Sequence, residues 1–206
     1  GALTQNNGSS TLTLAGNNTY TGATTISAGT LLISSSGRLG GGNYTGNISN
    51  SGTLLYNGTT AQTLSGVISG TGAITKNNTS TLTLAGSNTY NGAITINAGT
   101  LQVGSTGLLG GGSYSGNIAI NGASSAFIFA GTNSQTISGA VSGTGSFTMN
   151  GTGTLTFSGA KSYTGGTTVN AGTLSITAGA ITGNITVNSG ARLTTDNHNM
   201  FSGVGN

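Results

Sequence analysis

Apolar residues alternate with polar ones through most of the chain, in short runs. The first such stretch carries Leu12 and Leu14, then Ile26, then Leu31 and Ile33. Most of the residues next to these apolar positions are Thr or Ser. A period of two places successive side chains on opposite faces of a strand, and β-branched residues suit a pleated surface that is buried on one side. The pattern therefore predicts short strands with one buried face, separated by turns of Gly and Asn.

One stretch of this pattern occurs three times. Residues 81–101 read TLTLAGSNTYNGAITINAGTL, residues 11–31 read TLTLAGNNTYTGATTISAGTL, and residues 154–174 read TLTFSGAKSYTGGTTVNAGTL. The copies begin 70 and 73 residues apart. Short strands that repeat at this period predict an array that buries its apolar face by stacking on itself.

Short strands at even spacing, with nothing helical between them, are typical of a sandwich, a propeller or a solenoid. About seven strand-like runs in each copy divide badly into four-stranded propeller blades, whereas about three strands a turn give a solenoid of roughly nine turns that each add ~4.8 Å. We therefore predict an all-β parallel β-helix (β-solenoid) in one domain, 1–206, with repeats at about 1–71, 72–144 and 145–206. The predicted core is Leu12, Leu14, Ile26, Leu31, Leu82, Leu84, Ile96, Leu101, Leu155, Phe157, Val169 and Leu174.

The composition is unlike that of an ordinary globular domain. Charged residues are 2% of the chain, and there are 40 glycines but no Pro, Cys or Trp. A Gly-rich polar composition is also typical of flexible linkers, but the regular alternation of apolar residues argues against disorder. The four cations stand apart from one another, so nucleic-acid binding has little support. No stretch approaches the roughly 20 apolar residues of a membrane helix, so we expect no membrane insertion.

A family resemblance adds to this interpretation. Residues 151–174, GTGTLTFSGAKSYTGGTTVNAGTL, closely resemble the autotransporter-associated β-strand repeat of bacterial passenger domains. The GTL-TL-SG, YTGGT and NAGTL elements carry the resemblance, which extends over nearly the whole chain. It implies a right-handed parallel β-helix that is secreted, on the outside of a Gram-negative-type bacterial cell.

Candidates for catalysis or metal binding are few. Hydrolases and lyases with this fold need paired carboxylates, or a carboxylate with a basic partner, and the chain has one carboxylate, Asp196, with His198 two residues away. Nothing near them marks an activated serine, and one His and one Asp cannot supply three metal ligands. The glycine runs Gly40–Gly42 and Gly110–Gly112 lack the Lys-Ser/Thr of a phosphate loop, so we interpret them as corners. We therefore predict no enzymatic activity, no cofactor and no metal.

Tyrosine and threonine recur at equivalent repeat positions and raise two binding hypotheses. The residues concerned are Tyr20, Tyr90 and Tyr163, then Tyr44 and Tyr114, and the pairs Thr11/Thr13, Thr81/Thr83 and Thr154/Thr156. A row of exposed tyrosines could bind surface glycans, but equivalents about three turns apart, near 14 Å, are too distant to stack, and packing at the corners is favoured. The threonine pairs have the spacing of ice-binding faces, yet they occur about once in three turns, which gives no continuous lattice.

The ends of a solenoid are rows of unpaired backbone N–H and C=O groups. Residues 64–75, LSGVISGTGAIT, cross from the first copy to the second; the last six residues, FSGVGN, match the start of this segment, and the first four, GALT, match its end. We therefore predict that the chain joins to itself, head to tail. The predicted interfaces are Gly1, Ala2, Leu3 and Thr4 at one end, and Phe201, Ser202, Gly203 and Val204 at the other.

Two functions compete on this basis. The first is a structural subunit that polymerises with itself into an extracellular fibre by strand addition, through a heterologous contact that does not close into a ring. The alternative is a monomeric adhesin or passenger stalk, with glycans or host surfaces as partners.

Overall fold

In the computed structural model, which describes residues 1–196, the alternating segments form short strands, and every pair of adjacent strands is parallel. The first copy forms β1 (Leu3–Gln5), β2 (Thr11–Leu14), β3 (Asn17–Asn18), β4 (Thr24–Ile26), β5 (Thr30–Ser35), β6 (Arg38–Leu39), the 3-10 turn η1 (Gly40–Gly42), β7 (Asn43–Tyr44), β8 (Ile48–Asn50), β9 (Thr53–Gly58), β10 (Gln62–Leu64) and β11 (Ile68–Ser69).

The second and third copies repeat this order with small losses. The second forms β12 (Ala73–Lys76), β13 (Thr81–Leu84), β14 (Ile94–Ile96), β15 (Thr100–Val103), the 3-10 turn η2 (Gly110–Gly112), β16 (Ser113–Tyr114), β17 (Ile118–Ile120), β18 (Ala126–Phe129), β19 (Gln135–Ile137) and β20 (Val141–Gly143). The third forms β21 (Ser146–Met149), β22 (Thr154–Phe157), β23 (Thr167–Val169), β24 (Thr173–Ile176), β25 (Ile185–Val187) and β26 (Arg192–Thr195).

These strands stack into three faces around one core. Face 1 contains the ladders β1-β4-β8-β11 and β16-β19-β22-β24-β26, face 2 is β2-β5-β9-β12-β14-β17-β20, and face 3 is β7-β10-β13-β15-β18-β21-β23-β25, with the two-stranded ladder β3-β6 ahead of it. The two ladders of face 1 are joined by an intervening coil, in which the Thr89 N–H donates to the Ile68 carbonyl at 3.0 Å and the Gly111 N–H donates to the Asn88 carbonyl at 2.8 Å.

The parallel β-solenoid is confirmed, with about ten turns instead of nine. Registered partners on neighbouring coils are separated by as few as 18 residues, as for Thr167 and Ile185, and by as many as 26, as for Thr100 and Ala126. Most coils are shorter than the even spacing that the sequence suggested, and the extra turn follows from this. The right-handed sense stays a prediction from the resemblance.

Successive copies do not place the same motif on the same face. The Thr-Leu-Thr-Leu/Phe strand lies on face 2 as β2, on face 3 as β13 and on face 1 as β22. Each copy therefore advances the chain by about three and a third turns. Equivalent residues of different copies belong to different faces, so they cannot line up in one row.

The core is the stack of inward-facing side chains between the three faces. Ten of the twelve predicted core residues are buried at 0–1% exposure: Ile26, Leu31, Leu82, Leu84, Ile96, Leu101, Leu155, Phe157, Val169 and Leu174. Leu12 and Leu14 also pack against the core, as predicted, but they are only half-buried. Both lie on β2, the first strand of face 2, which is covered by β5 on one side alone among the described residues.

Candidate functional site

The first coil presents one of the predicted interfaces. Within the described residues, β1 pairs with β4 alone, and Leu3 is registered with Thr24. The equivalent residues of the later copies are covered on both sides, since Ile74 lies between Leu54 and Ile94 in its ladder. Ile74 is fully buried, whereas Leu3 is half-buried and Gly1, Ala2 and Thr4 are exposed.

Other apolar side chains surround Leu3 at this end. Leu12, Leu14 and Tyr20 pack partly buried against the core, as Leu3 does. Together these four residues form what we call the end surface, an apolar cross-section of the solenoid beside unpaired strand edges. Such a surface can accept one further coil by parallel strand pairing.

The partner side of the predicted join lies beyond the part of the chain that the structure describes. Phe201, Ser202, Gly203 and Val204 lie outside the described residues, as does His198. Asp196 is the last described residue and is exposed. The pairing of Asp196 with His198 and the junction between chain ends therefore stay predictions.

The recurring tyrosines belong to the core. Tyr44, Tyr90, Tyr114 and Tyr163 are fully buried, and Tyr20 is half-buried. Packing at the corners is thus confirmed, and the hypothesis of an exposed glycan-binding row of these residues is wrong. The contacts join different repeat positions on neighbouring coils, with ring centroids 5.4 Å apart for Tyr20 and Tyr44 and 5.6 Å apart for Tyr90 and Tyr114.

The hydroxyl of Tyr90 differs from those of its equivalents. The Tyr20 hydroxyl is 2.8 Å from the Thr24 hydroxyl, and the Tyr163 hydroxyl is 2.6 Å from the Thr167 hydroxyl. In the second copy, Ile94 stands at the position of Thr24 and Thr167. The buried Tyr90 hydroxyl has no hydrogen-bond partner. Burial raises the pKa of Tyr90 well above 10, and the adjacent Tyr114 adds to the shift.

A buried lysine closes one corner of the second copy. Lys76 is fully buried, and its Nζ donates to the carbonyls of Asn77 and Asn78 at 2.6 Å each and to that of Ala98 at 3.3 Å. Its ammonium lies 5.6 Å from the ring centroid of Tyr56, within the range of a cation–π contact. Burial lowers the pKa of this amine from 10.5 to about 8.

The same corner of the first copy uses an amide. Gln5 stands at the position of Lys76, and its Nε2 donates to the carbonyls of Asn7 at 3.2 Å and Ser10 at 2.9 Å. Both side chains therefore supply donors to backbone carbonyls that turn inward where the chain leaves the strand. These carbonyls would otherwise be buried without a partner.

Buried glutamines hold the glycine turns. Gln62 Oε1 accepts from the Leu39 N–H at 2.8 Å, and its Nε2 donates to the Leu39 carbonyl at 3.1 Å. Gln135 makes the same pair of bonds to Leu109, at 2.9 and 3.0 Å. Each glutamine thereby fixes the residue ahead of η1 or η2, whose glycines all have positive φ. The interpretation of Gly40–Gly42 and Gly110–Gly112 as corners is confirmed.

Sequence reasoning missed these inward polar side chains, although a signal for them was present. Gln62 and Gln135 precede Thr and an apolar residue, and Lys76 follows Ile-Thr, so all three stand at inward positions of the alternation. A polar residue at an inward position predicts a buried hydrogen bond rather than a surface one.

Two further observations concern metals and membranes. Among residues 1–196, no three His, Cys, Asp or Glu side chains come together in a group that could hold a metal ion. In the same part of the chain, no helix has the length and apolar character needed to cross a membrane.

Comparison with known proteins agrees with this architecture. The model of the passenger-associated-transport-repeat family matches residues 7–33, 74–103 and 147–176, one match in each copy. The chain is 49% identical over 208 aligned positions to the adhesin BmaC autotransporter of Brucella suis biovar 1 (strain 1330). That alignment covers 90% of this chain and 6% of the relative. No solved structure matches the chain.

Proposed function

Because the chain is an autotransporter passenger-like repeat protein, we propose that it is a solenoid segment of a surface adhesin, located on the outside of a bacterial cell. The 49% identity to an adhesin autotransporter over 90% of the chain carries this proposal. The chain spans about 6% of the length of that relative. The segment proposed is therefore a stalk, which supports and spaces binding regions and contributes binding surface of its own.

The geometry supports a stalk because the hydrogen bonds between neighbouring coils run along the solenoid axis. Ten turns at ~4.8 Å each give a rod roughly 50 Å long. Side chains add axial ties to the backbone ladders: Asn97 Nδ2 donates to Asn77 Oδ1, and Asn121 Nδ2 donates to Asn97 Oδ1, both at 2.9 Å. A rod held in this way resists bending, and the chain has no cysteine that could add a disulfide.

The role proposed is binding and support rather than catalysis. The matched relative is named as an adhesin, and the chain has one acidic residue. General acid–base mechanisms on this fold need two cooperating ionisable groups.

The test asks whether the solenoid is displayed outside the cell. Antibodies raised against the purified chain should stain intact, unpermeabilised cells of the source bacterium, and protease added to the medium should remove the signal. An antibody to a cytoplasmic protein provides the control for cell integrity. Staining that needs permeabilised cells would overturn the proposal.

A head-to-tail fibre is the second candidate, and the end surface is the observation that favours it. Leu3, Leu12, Leu14 and Tyr20 leave apolar area partly exposed. A further coil of a longer solenoid would cover the same area, and the relative's far greater length favours that explanation. Light scattering on the purified chain separates the two, since a stalk segment is a rod of 19.8 kDa and a fibre is a long polymer.

The matched variants for this second candidate are Leu3→Asp and Thr4→Asp. Leu3 is half-buried at the proposed join and Thr4 is exposed. A buried unpaired carboxylate at Leu3 would cost about 2 kcal/mol or more. If fibres form, Leu3→Asp should stop them while Thr4→Asp has a weaker effect, and fibres from both variants alike would rule out the join.

A further inference from the structure

Five asparagine–glycine pairs in the chain have the sequence that favours loss of the side-chain amide. They are Asn7-Gly8, Asn57-Gly58, Asn91-Gly92, Asn121-Gly122 and Asn150-Gly151. In such a pair, the backbone nitrogen of glycine can attack the side-chain carbonyl carbon of asparagine, because glycine has no side chain to obstruct the approach. The attack needs an accessible amide and a backbone that can move. The fold therefore decides which of the five pairs can react.

Asn7-Gly8 lies at an exposed corner between β1 and β2. Both residues are exposed, and a Cβ atom placed on Gly8 would meet its nearest neighbour, Ala28, at 3.8 Å. The same corner is also exposed in the second and third copies, where its tip carries Thr79 and Thr152 and coils lie on both sides. The exposure of Asn7-Gly8 is therefore a property of this corner and does not arise from its place in the first coil.

The Asn7 side chain is turned toward the glycine. Its Oδ1 accepts from the Ser9 N–H at 3.0 Å, as in an Asx turn. This bond folds the side chain back over Gly8, which is the direction that ring closure needs, and it polarises the carbonyl that is attacked. Within residues 1–196, the Gly8 N–H donates to no other group, so no hydrogen bond has to break before the nitrogen attacks.

In the other four pairs, atoms of the solenoid pack closely against the glycine. A Cβ atom placed on any of these glycines would overlap a neighbouring atom: the Tyr56 hydroxyl for Gly58, and the carbonyl oxygens of Gly72 for Gly92, of Asn97 for Gly122 and of Gly131 for Gly151. The Gly151 N–H also donates to the Phe129 carbonyl at 3.1 Å. These glycines have no room for the backbone rotation that ring closure requires.

The asparagines of three of these pairs are also held. Asn121 Nδ2 donates to Asn97 Oδ1 at 2.9 Å, and Asn150 Oδ1 accepts from Asn170 Nδ2 at 2.7 Å. Asn57 lies within β9, which is paired with β5. Ring closure at these sites therefore has to wait for a local opening of the solenoid.

We propose that Asn7 is a site of spontaneous deamidation and that it is the pair, among the five, that reacts in the folded chain. The Gly8 nitrogen gives its proton to water or hydroxide and bonds to Cγ of Asn7, and the side-chain nitrogen leaves as ammonia. Water then opens the succinimide ring at either carbonyl, which leaves aspartate or isoaspartate at position 7. The product adds a carboxylate to a chain that has one acidic residue and lowers its net charge of +3 by one unit. This inference does not depend on the proposed function.

The test follows all five pairs in one sample. The purified chain is incubated at mildly alkaline pH, digested with a protease of broad specificity, and mapped by mass spectrometry, which distinguishes the amide from the acid at each asparagine. Asn7 should lose its amide about tenfold faster than the other four asparagines, or more, because those sites must first open locally. Concentrated urea removes this protection, so all five pairs should react at similar rates in the unfolded chain.

Gly8→Ala is the matched variant. The space around Gly8 accepts a Cβ atom, so the variant should fold like the parent, as circular dichroism will show. It should slow the loss of amide at Asn7 several-fold, because the methyl group obstructs the attack. Equal rates at Asn7 and at another pair of the folded chain, an Asn7 that keeps its amide there, or an unchanged rate in Gly8→Ala would overturn the proposal.

Discussion

Removing one hydroxyl from the core should have opposite effects in two copies of the same motif. Tyr163 and Tyr90 occupy equivalent positions, and both side chains are fully buried. The Tyr163 hydroxyl is paired with the Thr167 hydroxyl at 2.6 Å, whereas the Tyr90 hydroxyl faces a site where Ile94 replaces the threonine. Tyr→Phe at the two positions therefore removes the same atom from a bonded and from an unbonded environment.

The expected magnitudes follow from the hydrogen bonds. A buried hydrogen bond contributes about 0.5–1.5 kcal/mol net, and a buried polar group without a partner costs about 1–3 kcal/mol. Tyr163→Phe should therefore destabilise the fold by roughly 1 kcal/mol or more, because it also leaves the Thr167 hydroxyl unpaired. Tyr90→Phe should be neutral or stabilising. At about 2–4 °C per kcal/mol for a chain of this size, the two melting temperatures should differ by several degrees.

Thermal unfolding followed by circular dichroism measures the pair directly, and a double-mutant cycle sharpens it. Ile94→Thr restores the threonine seen at Thr24 and Thr167. Ile94→Thr should lower the free energy of unfolding less in the Tyr90 parent than in the Tyr90→Phe background, by about the value of one hydrogen bond. Equal destabilisation by Tyr90→Phe and Tyr163→Phe would refute the reasoning, since it would mean that the Tyr90 hydroxyl is bonded, with the adjacent Tyr114 as the available partner.

The remaining predictions concern the buried amine and pH. Lys76→Gln keeps a donor for the corner carbonyls, as Gln5 does, and should preserve stability at neutral pH, whereas Lys76→Met removes the donor and should cost about 1–3 kcal/mol in urea unfolding. Since burial lowers the pKa of Lys76 to about 8, the folded state binds fewer protons than the unfolded state above that pH, and the parent should gain stability from pH 8 to about 10. Lys76→Gln should gain less over this range, because Lys161, whose pKa burial also lowers, still contributes. Burial raises the pKa of Tyr20 and of Tyr163 from 10 to about 12. The stability that these two neutral hydroxyls contribute is therefore complete below about pH 10 and is lost as the pH rises to about 12. Tyrosine absorbance should report unfolding in this range.

Much of the fold could be predicted because its pattern is local. Strand type and buried face depend on alternation alone, which is why residues such as Leu82 and Phe157 were placed correctly. The arrangement of the copies was harder, because it depends on the number of residues in each coil. Registered partners lie 18 to 26 residues apart, and small differences in corner length add up to the third of a turn that moves each motif to a new face.

The polar interior was missed although its signal is local. Lys76 and Gln62 stand at inward positions of the alternation, but their polar side chains were not recognised as buried. The neighbours of a residue on the next coil depend on stacking, since Thr136 and Thr156 are registered partners although they are 20 residues apart in sequence. The C-terminal interface at Phe201–Val204 lies outside the described residues and stays a prediction.

Cysteine pairs test the central claim, that the copies stack as one solenoid in which each repeat moves to the next face. The chain has no cysteine, so an introduced pair has no competing thiols. Thr136 and Thr156 are registered neighbours on face 1, close enough for a disulfide between adjacent strands, whereas Thr83 and Thr156 lie on different faces. Under mild oxidation, Thr136→Cys/Thr156→Cys should form an intramolecular disulfide that shifts the monomer on a non-reducing gel, and Thr83→Cys/Thr156→Cys should not. An intramolecular disulfide in the second pair, or its absence in the first, would contradict the account.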